Sequence, residues 1–213
     1  MNTLEEMLSA KIISIIRGVV SDNIVSAVEA LERGGVRFVE VTFRPGDEKA
    51  CADTLKSIEM LKKRFPGMHI GAGTVITVAQ VKDAAAAGAE YIISPNTNLN
   101  VIAKTKELKL LSLPGAFSPT EIETAWEAGA DIVKIFPAST VGPKYFKAVR
   151  GPLPNIPLAA VGGISTANIA DFLAAGAAAF GIGGNLVSAA RVKNAAWQDI
   201  ENDAAAYVAA VKR

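Results

Sequence analysis

A lysine inside an apolar run is the residue of this chain with the clearest capacity for chemistry. Lys134 lies in the run Ile-Val-Lys-Ile-Phe-Pro, which is typical of a strand buried on both faces. An ammonium group buried there must pair with a carboxylate or lose its proton, since an uncompensated buried charge is costly. A neutral buried amine is a nucleophile for carbonyl groups. A structural ion pair is the alternative interpretation.

A set of alternating polar residues on another predicted strand supplies a partner for this lysine. Glu40, Thr42 and Arg44 alternate with Val39, Val41 and Phe43. The period of two places the three polar side chains on one face. A carboxylate can move protons, and a guanidinium near the end of the strand can orient a substrate carboxylate through a forked contact. Alternatively, Arg44 only neutralises Glu40 or caps the top of the barrel.

Two glycine pairs form a third candidate element. Gly162 and Gly163 precede a helical run over residues 167–175, and Gly183 and Gly184 follow a short apolar run. Glycines let backbone N–H groups approach an anion, and a helix N-terminus adds partial positive charge. We therefore predict a phosphate site, with tight turns as the alternative.

A repeated sequence pattern shows which secondary-structure elements position these residues. Glycine followed by a short apolar run occurs at positions 35, 88, 129 and 176, which is typical of a helix that ends at a buried strand. The spacing is about twice one βα unit, so one further strand is expected between each pair. These strands are predicted at 12–17, 69–75, 109–113 and 157–161.

Eight strands alternating with helices predict a fold of the α/β class, a (β/α)8 TIM barrel. Helix starts are predicted from capping boxes at Thr3/Glu6, Thr77/Gln80 and Ser118/Glu121. The first of these implies a short N-terminal helix. We predict one domain over residues 1–213, with an open doubly wound sheet as the alternative. Active sites of such barrels lie at the carboxyl ends of the strands, which adds Arg17, Thr74 and Pro95 to the candidates.

Composition narrows the set of partners. The formal net charge of +1 gives no field for collecting nucleic acid or an anionic membrane. The uncharged run 172–190 is interrupted by glycines, so we interpret it as a helix end, a buried strand and a loop. Cys51 is the single cysteine, so no internal disulfide forms and a cytoplasmic location is expected. His69 has no second histidine for a metal site and is predicted to be structural.

The order of these motifs resembles a known family. The motifs that carry the resemblance are Glu40-Val41-Thr42-Phe43-Arg44, Gly71-Ala72-Gly73-Thr74-Val75, Ile93-Ser94-Pro95, Leu113-Pro114-Gly115, Lys134-Ile135-Phe136-Pro137-Ala138 and Val161-Gly162-Gly163-Ile164. From residue 11 to residue 187 the chain is similar to the class I 2-keto-3-deoxy-6-phosphogluconate (KDPG) and 4-hydroxy-2-oxoglutarate (KHG) aldolases. The resemblance implies a metal-independent and cofactor-independent barrel, commonly a homotrimer. Its members cleave a 2-keto-3-deoxy sugar acid phosphate into pyruvate and glyceraldehyde 3-phosphate.

The resemblance also implies roles for individual residues. Lys134 would be the Schiff-base lysine and Glu40 the general acid/base. The residues expected around the pyruvate half are Arg44, Thr74 and Pro95, with Arg17, Thr42 and Phe136 as further substrate-binding candidates. The phosphate would be held by Gly162, Gly163, Gly183 and Gly184.

Two departures concern the substrate. The family usually has Gly-Ser where this chain has Gly183-Gly184, so one hydroxyl that would bind phosphate is missing. Val161 and the Ile16-Arg17-Gly18 run are more similar to the phosphogalactonate branch than to the phosphogluconate branch. The sequence therefore does not fix the stereochemistry of the substrate. The smaller keto acid 4-hydroxy-2-oxoglutarate is an alternative substrate.

Two other functions are compatible with a phosphate-binding barrel. One is an isomerase or synthase similar to ribulose-phosphate epimerases or thiamine phosphate synthases, although one carboxylate and one lysine are too few for a metal cage. The other is a non-catalytic sugar-acid binder, for which a buried neutral lysine has no use.

Overall fold

A sheet of parallel strands forms the centre of the computed structural model, which describes residues 2–212. The strands are β1 (Ile12–Ile16), β2 (Phe38–Thr42), β3 (His69–Gly73), β4 (Tyr91–Ile93), β5 (Leu111–Leu113), β6 (Gly115–Ala116), β7 (Val133–Ile135), β8 (Leu158–Val161) and β9 (Ala179–Ile182). The helices are α1 (Thr3–Ala10), α2 (Ser21–Arg33), α3 (Glu48–Arg64), α4 (Val78–Ala86), α5 (Leu99–Glu107), α6 (Pro119–Glu127), α7 (Ala138–Arg150), α8 (Ile169–Ala174), α9 (Ala189–Lys193) and α10 (Trp197–Val211). Helices therefore alternate with strands.

The two ends of the sheet meet at Pro114. The strand order runs from β5 through β4, β3, β2, β1, β9, β8 and β7 to β6, and β5 and β6 are separated in sequence only by this proline. Proline has no N–H to donate, so it separates β5, which pairs with β4, from β6, which pairs with β7. Its carbonyl still accepts a hydrogen bond from the Lys134 backbone N–H at 2.9 Å. The strand predicted at 109–113 is present as β5, and the barrel strand continues past its predicted end, after Pro114, as β6. The predicted (β/α)8 barrel is confirmed.

Alternation along the strands separates an interior core from an outer one. The interior cluster includes Ile13, Ile15, Phe38, Tyr91, Ile93, Leu113, Ile132, Ala159, Val161 and Ala179. On β2, Val39 and Val41 instead belong to the cluster between the strands and the helices. Met7 of α1 is fully buried in the interior cluster, so this helix covers the amino-terminal end of the barrel. Burial of such a side chain contributes about 1.5–3 kcal/mol.

Two of the three predicted capping boxes are confirmed, and one is displaced. The Thr77/Gln80 and Ser118/Glu121 boxes are both present. At α1 the prediction of Thr3/Glu6 is wrong, because Asn2 has extended backbone geometry and accepts a hydrogen bond from the Glu5 N–H. Asparagine is as good an N-cap as serine or aspartate, so the box forms one residue earlier.

The helix after β8 is shorter than the predicted run 167–175. It begins only at Ile169, because Asn168 holds the preceding turn. The Asn168 side chain accepts a hydrogen bond from the Ser165 N–H at 2.8 Å and donates one to the Gly163 carbonyl at 2.9 Å. Further along, the run 172–190 forms a helix end, the strand β9 and a loop, as predicted. Within residues 2–212, every helix is too short or too polar to cross a bilayer.

His69 is the first residue of β3 and lies at the amino-terminal end of the barrel, opposite the carboxyl ends of the strands. Its Nδ1 lies 2.7 Å from a Glu90 carboxylate oxygen and its Nε2 lies 2.9 Å from one of Glu6. The ring also stacks on Phe38 with centroids 4.5 Å apart. The two carboxylates occupy opposite sides of the ring and do not converge, and residues 2–212 contain no cluster of three metal-binding side chains. These contacts support a structural role.

Candidate active site

A cavity of about 490 Å³ opens at the carboxyl ends of the strands. It brings together Arg17, Glu40, Lys134, Phe136, Gly162, Gly163, Gly183 and Gly184 from the predicted site. These residues lie on or just after β1, β2, β7, β8 and β9. A parallel barrel directs the ends of all its strands to one face, so residues that are distant in sequence share this cavity.

Lys134 projects into the barrel from the middle of β7. Its backbone is fixed by pairing with Gly115 and Ala159, and the side chain is only 6% exposed. Its Nζ lies 4.7 Å from the centre of the Phe136 ring. No carboxylate oxygen of residues 2–212 lies within 4.0 Å of it. The lysine is therefore buried without the structural ion pair that was the alternative interpretation.

Burial governs the protonation of this amine. Desolvation lowers the pKa of Lys134, Glu40 opposes that change, and Arg17 adds to it. Desolvation disfavours the charged form of a lysine, and a nearby cation disfavours it further. The arrangement therefore increases the fraction of the nucleophilic free amine near neutral pH.

Glu40 is the second titratable group at the bottom of this cavity. It is 1% exposed, and its Oε2 has no hydrogen-bond partner within residues 2–212. Burial raises the pKa of Glu40, while Lys134 and Arg17 act to lower it. A carboxyl group whose pKa is raised toward neutrality can both accept and return a proton.

A glycine on β3 makes room for the Glu40 carboxylate. A Cβ added at Gly73 would lie 1.6 Å from Glu40 Oε1, which is far inside van der Waals contact. Gly73 pairs with Thr42 across the β2–β3 ladder, one strand away from the carboxylate. The bare backbone at Gly73 therefore sets the position of Glu40.

A second cavity, of about 710 Å³, adjoins the first and shares Arg17 with it. Thr42, Arg44 and Thr74 line this second cavity and not the first. Thr74 has a left-handed backbone with φ of 56°, and its Oγ1 lies 3.5 Å from Arg17 Nη2. Strained residues of this kind cluster at ligand sites.

The predicted alternation of polar side chains on β2 holds only within the strand. Glu40 and Thr42 lie on the interior face, but β2 ends at Thr42, so Arg44 lies in the following loop. Its side chain is 77% exposed, with Asp47 as an ion-pair partner at 3.8 Å. Arg44 lines the same cavity as Thr42, but its direction is set by the loop, because the period of two ends with the strand.

Pro95 lies outside both cavities, just after β4. Its carbonyl oxygen would be only 2.3 Å from a Cβ added at Gly115. In this arrangement the backbone of Pro95 packs against β6, which is the neighbour of the lysine strand.

The two glycine pairs differ in the structural reason for having glycine at these positions. Gly162 and Gly163 have φ of 96° and 74°, and a Cβ at Gly163 would lie 2.5 Å from Ser139. The turn itself therefore requires glycine at both positions. A Cβ at Gly183 or Gly184 would meet no atom within 4 Å. At this second pair the missing side chains leave open space in the cavity.

Comparison with known proteins agrees with this geometry. Residues 4–202 match the aldolase family described as KDPG and KHG aldolase. The chain belongs to the KDPG and KHG aldolase family. A probable 2-dehydro-3-deoxy-6-phosphogalactonate aldolase of Rhizobium meliloti is 39% identical over 82% of this chain and 81% of that protein.

Solved structures place the chain in the same family. A native KDPGal structure is 34% identical, with a TM-score of 0.84 over 94% of each chain. The KDPG aldolase of Legionella pneumophila, solved with pyruvate captured at low pH as a covalent carbinolamine intermediate, is 30% identical. Its TM-score is 0.86 over 96% of this chain and 98% of that chain. The enzyme class is therefore that of the class I aldolases.

Some residues that shape the site of this aldolase carry only weak sequence signals. Asn185 and Ser188 line the cavity, and Asn185 donates a hydrogen bond to the Ile164 carbonyl at 2.9 Å. Ser188 is the N-cap of α9. The one sequence signal that points to these two residues is their position after the second glycine pair. The contact between Gly73 and Glu40 depends on strand register, which the sequence does not reveal.

Proposed function

We propose that this aldolase cleaves a 2-keto-3-deoxy-6-phospho sugar acid through a Schiff base on Lys134, giving pyruvate and glyceraldehyde 3-phosphate. One observation carries the proposal: the amine of Lys134 is buried, has no ion-pair partner within residues 2–212, and shares its cavity with the buried carboxyl group of Glu40. The motif resemblance and the family membership support it.

The first half of the reaction depends on the free amine. The lone pair of Lys134 attacks the C2 ketone, and a proton passes from nitrogen to oxygen to give the neutral carbinolamine. The carboxyl group of Glu40 then donates a proton to the carbinolamine hydroxyl, which leaves as water and gives a protonated imine and the Glu40 carboxylate. Burial lowers the pKa of Lys134, so the amine is available for this attack. The iminium ion then accepts the electron pair of the breaking C3–C4 bond, which a neutral ketone does poorly.

Glu40 moves the protons in the second half. Its carboxylate accepts the proton of the C4 hydroxyl as the C3–C4 bond breaks and the aldehyde leaves. The same carboxyl group then returns a proton to C3 of the enamine, and water hydrolyses the imine to release pyruvate. A group that both accepts and gives a proton needs a pKa closer to neutrality than that of an exposed glutamate, and burial raises the pKa of Glu40 in that direction.

Two regions are suited to the ends of the substrate. Arg17 and Thr74, near the cavity boundary, and the more distant Arg44 offer positive charge and a hydroxyl for the carboxylate of the pyruvate half. Backbone N–H groups at Gly162, Gly163, Gly183 and Gly184 would hold the phosphate. Thr42 and Phe136 would shape the walls around the pyruvate half, and Pro95, whose backbone packs against β6, would support these walls from outside the cavities.

Reductive trapping tests this function. Borohydride in the presence of pyruvate should attach one pyruvate-derived group to Lys134, found by mass spectrometry of the digested protein. The exposed Lys147, on α7, serves as the internal control peptide. An unmodified Lys134 under conditions of turnover would exclude the Schiff-base mechanism.

The second substrate candidate is 4-hydroxy-2-oxoglutarate, and Gly184 is the observation that favours it. A serine hydroxyl at this position would offer a hydrogen bond to a phosphate, and the chain lacks it. The smaller keto acid carries no phosphate and does not need that contact.

We expect Gly184→Ser to lower KM for the phosphorylated substrate about 10- to 100-fold, because one hydrogen bond to a charged group is restored. The added side chain enters open space, so the fold should tolerate it. The measurement is kcat/KM for the phosphorylated acid and for its unphosphorylated counterpart. Gly184→Ala is the matched control, since it adds the Cβ without the hydroxyl. Equal kcat/KM for both substrates in the unaltered protein would contradict a phosphate site.

We further propose that the protein is a homotrimer. Alanine-rich helical runs at residues 83–87 and 171–175 present little bulk, and the motif resemblance implies this assembly. Large apolar side chains are exposed on the isolated chain: Val20, Leu99, Leu108, Phe117 and Phe136. Covering such surface favours association. Light scattering should give about three times 22.2 kDa; a monomer at micromolar concentration would refute the trimer.

We also propose a cytoplasmic location, a small keto-acid phosphate as the ligand, and no role for nucleic acid or membrane. The near-neutral formal charge of +1 and the single cysteine support these statements. The proposed chemistry needs no cofactor or metal, because the iminium ion is its electron sink.

A further inference from the structure

A buried phenol in the barrel interior has no part in the mechanism so far. Tyr91, on β4, is fully buried, and its hydroxyl has no hydrogen-bond partner within residues 2–212. A buried hydroxyl without a partner costs free energy, which a phenylalanine of nearly the same shape would avoid. The presence of tyrosine here therefore needs a functional reason.

The Tyr91 ring lies across a glycine that pairs with Glu40. A Cβ added at Gly71 would lie 2.2 Å from the ring, so the ring occupies the space where a side chain would stand. Gly71 pairs with Tyr91 on one side and with Glu40 on the other. The phenol thus extends from β4 across β3 toward the strand that carries the catalytic candidate.

The Glu40 carboxylate occupies the next interior position on the same strand. It lies against Gly73, two residues beyond Gly71, which is a separation of about 6.6 Å along a strand. Among the described residues 2–212, neither Glu40 Oε2 nor the Tyr91 hydroxyl has a hydrogen-bond partner, and both atoms are buried in this barrel interior. This spacing is that of the two glycines; the phenol and the carboxylate extend over them from β4 and β2, so rotation of either side chain, or one bridging water, can join the donor to the acceptor.

The other groups near Glu40 and Tyr91 do not replace this contact. Lys134 on β7 and Arg17 just after β1 are basic groups that act to lower the pKa of Glu40. Glu90, the second carboxylate near Tyr91, already contacts Lys62 and His69 at the amino-terminal end of the barrel. Thr42 Oγ1 is a second buried oxygen without a partner within residues 2–212, but it lies two residues further along β2, so Glu40 is the nearer acceptor for the phenol.

We propose that Tyr91 is a positioning residue for Glu40: its O–H donates a hydrogen bond to the carboxylate, directly or through one water, and favours the ionised form that accepts the C4 hydroxyl proton. The role in the reaction rests on the function proposed above. Burial and the charge of Glu40 raise the pKa of Tyr91 well above its ordinary value, so the phenol stays protonated and acts only as a donor.

The kinetic test compares Tyr91→Phe with the unaltered enzyme over a range of pH. A donor to a carboxylate lowers its pKa, so its removal should move the acidic limb of kcat upward by about one to two pH units. The kcat profile is the right readout, because Lys134 no longer titrates as a free amine once the imine has formed. Tyr145→Phe, which removes a phenol on α7, is the control and should leave the limb in place. If the acidic limb of the kcat profile stays in place in Tyr91→Phe, the proposal is overturned, even if the free energy of unfolding changes.

A second measurement needs neither turnover nor the Tyr91 variant to fold. The chain has three tyrosines, so the ¹³Cζ resonance of Tyr91 can be assigned in labelled protein. It should change with pH at the midpoint of Glu40 and lose that change in Glu40→Gln. A Tyr91 resonance that does not respond to pH, or that responds equally in Glu40→Gln, would refute the contact. An absent borohydride adduct would instead refute the proposed function and leave this titration unaffected.

Discussion

Lys134→Met will reduce kcat by at least about 10⁴-fold, because the variant keeps the cavity and loses the nucleophile. Methionine fills a similar volume on β7 without a charge. The thermal midpoint of unfolding should stay the same or rise, since the native amine is buried without an ion-pair partner in the described part of the chain. Steady-state turnover and calorimetry on the same preparation test both statements.

The combination of lost activity and kept stability separates a catalytic Lys134 from a structural lysine and from the lysine of a non-catalytic binder. A structural lysine would lose stability on substitution, and a non-catalytic binder would keep its affinity in a protein that never turns over. Lys147→Met, at an exposed position of α7, controls for the loss of a positive charge. Turnover that survives in Lys134→Met would show that another residue carries the chemistry.

The fold could be predicted from the sequence because each βα unit repeats the same local signals. Glycine after an amphipathic run ends a helix, and the apolar run that follows has no solvent face and forms a buried parallel strand. The split of the fifth strand at Pro114 is a consequence of its missing N–H. The sequence displays this proline, but the closure of the sheet around it depends on both neighbouring strands.

The site could be predicted only where its residues lie within strands. Lys134 and Glu40 fall inside strands, so alternation assigns them to the interior, and the cavity contains both. Arg44 follows the end of β2, where the direction of a side chain is set by loop geometry. Contacts such as that of Tyr91 with Gly71 depend on the register between strands, and a single sequence does not encode register in any local pattern.

Gly73→Ala will lower kcat by about 10²-fold or more while changing stability little. The added Cβ would lie 1.6 Å from Glu40 Oε1, so the carboxylate must move. The neighbour is the far end of a flexible side chain, and the φ of Gly73 lies outside the left-handed region, so the backbone accepts alanine. A misplacement of about 1 Å in a general acid/base is enough for a loss of this size.

The matched comparison is Gly71→Ala, which adds the same methyl group one interior position earlier. There the Cβ meets the rigid ring of Tyr91 at 2.2 Å, so the expected effect is overpacking of about 1–3 kcal/mol in the free energy of unfolding. In the Glu40→Gln background, Gly73→Ala should cause little further loss, because the two substitutions act on the same proton transfer. The final extent of borohydride trapping at Lys134 should be retained in Gly73→Ala, with a slower approach to it. Full activity in Gly73→Ala would mean that the position of the Glu40 carboxylate does not limit turnover, and independent losses in the double variant would mean that Gly73 acts through some other group.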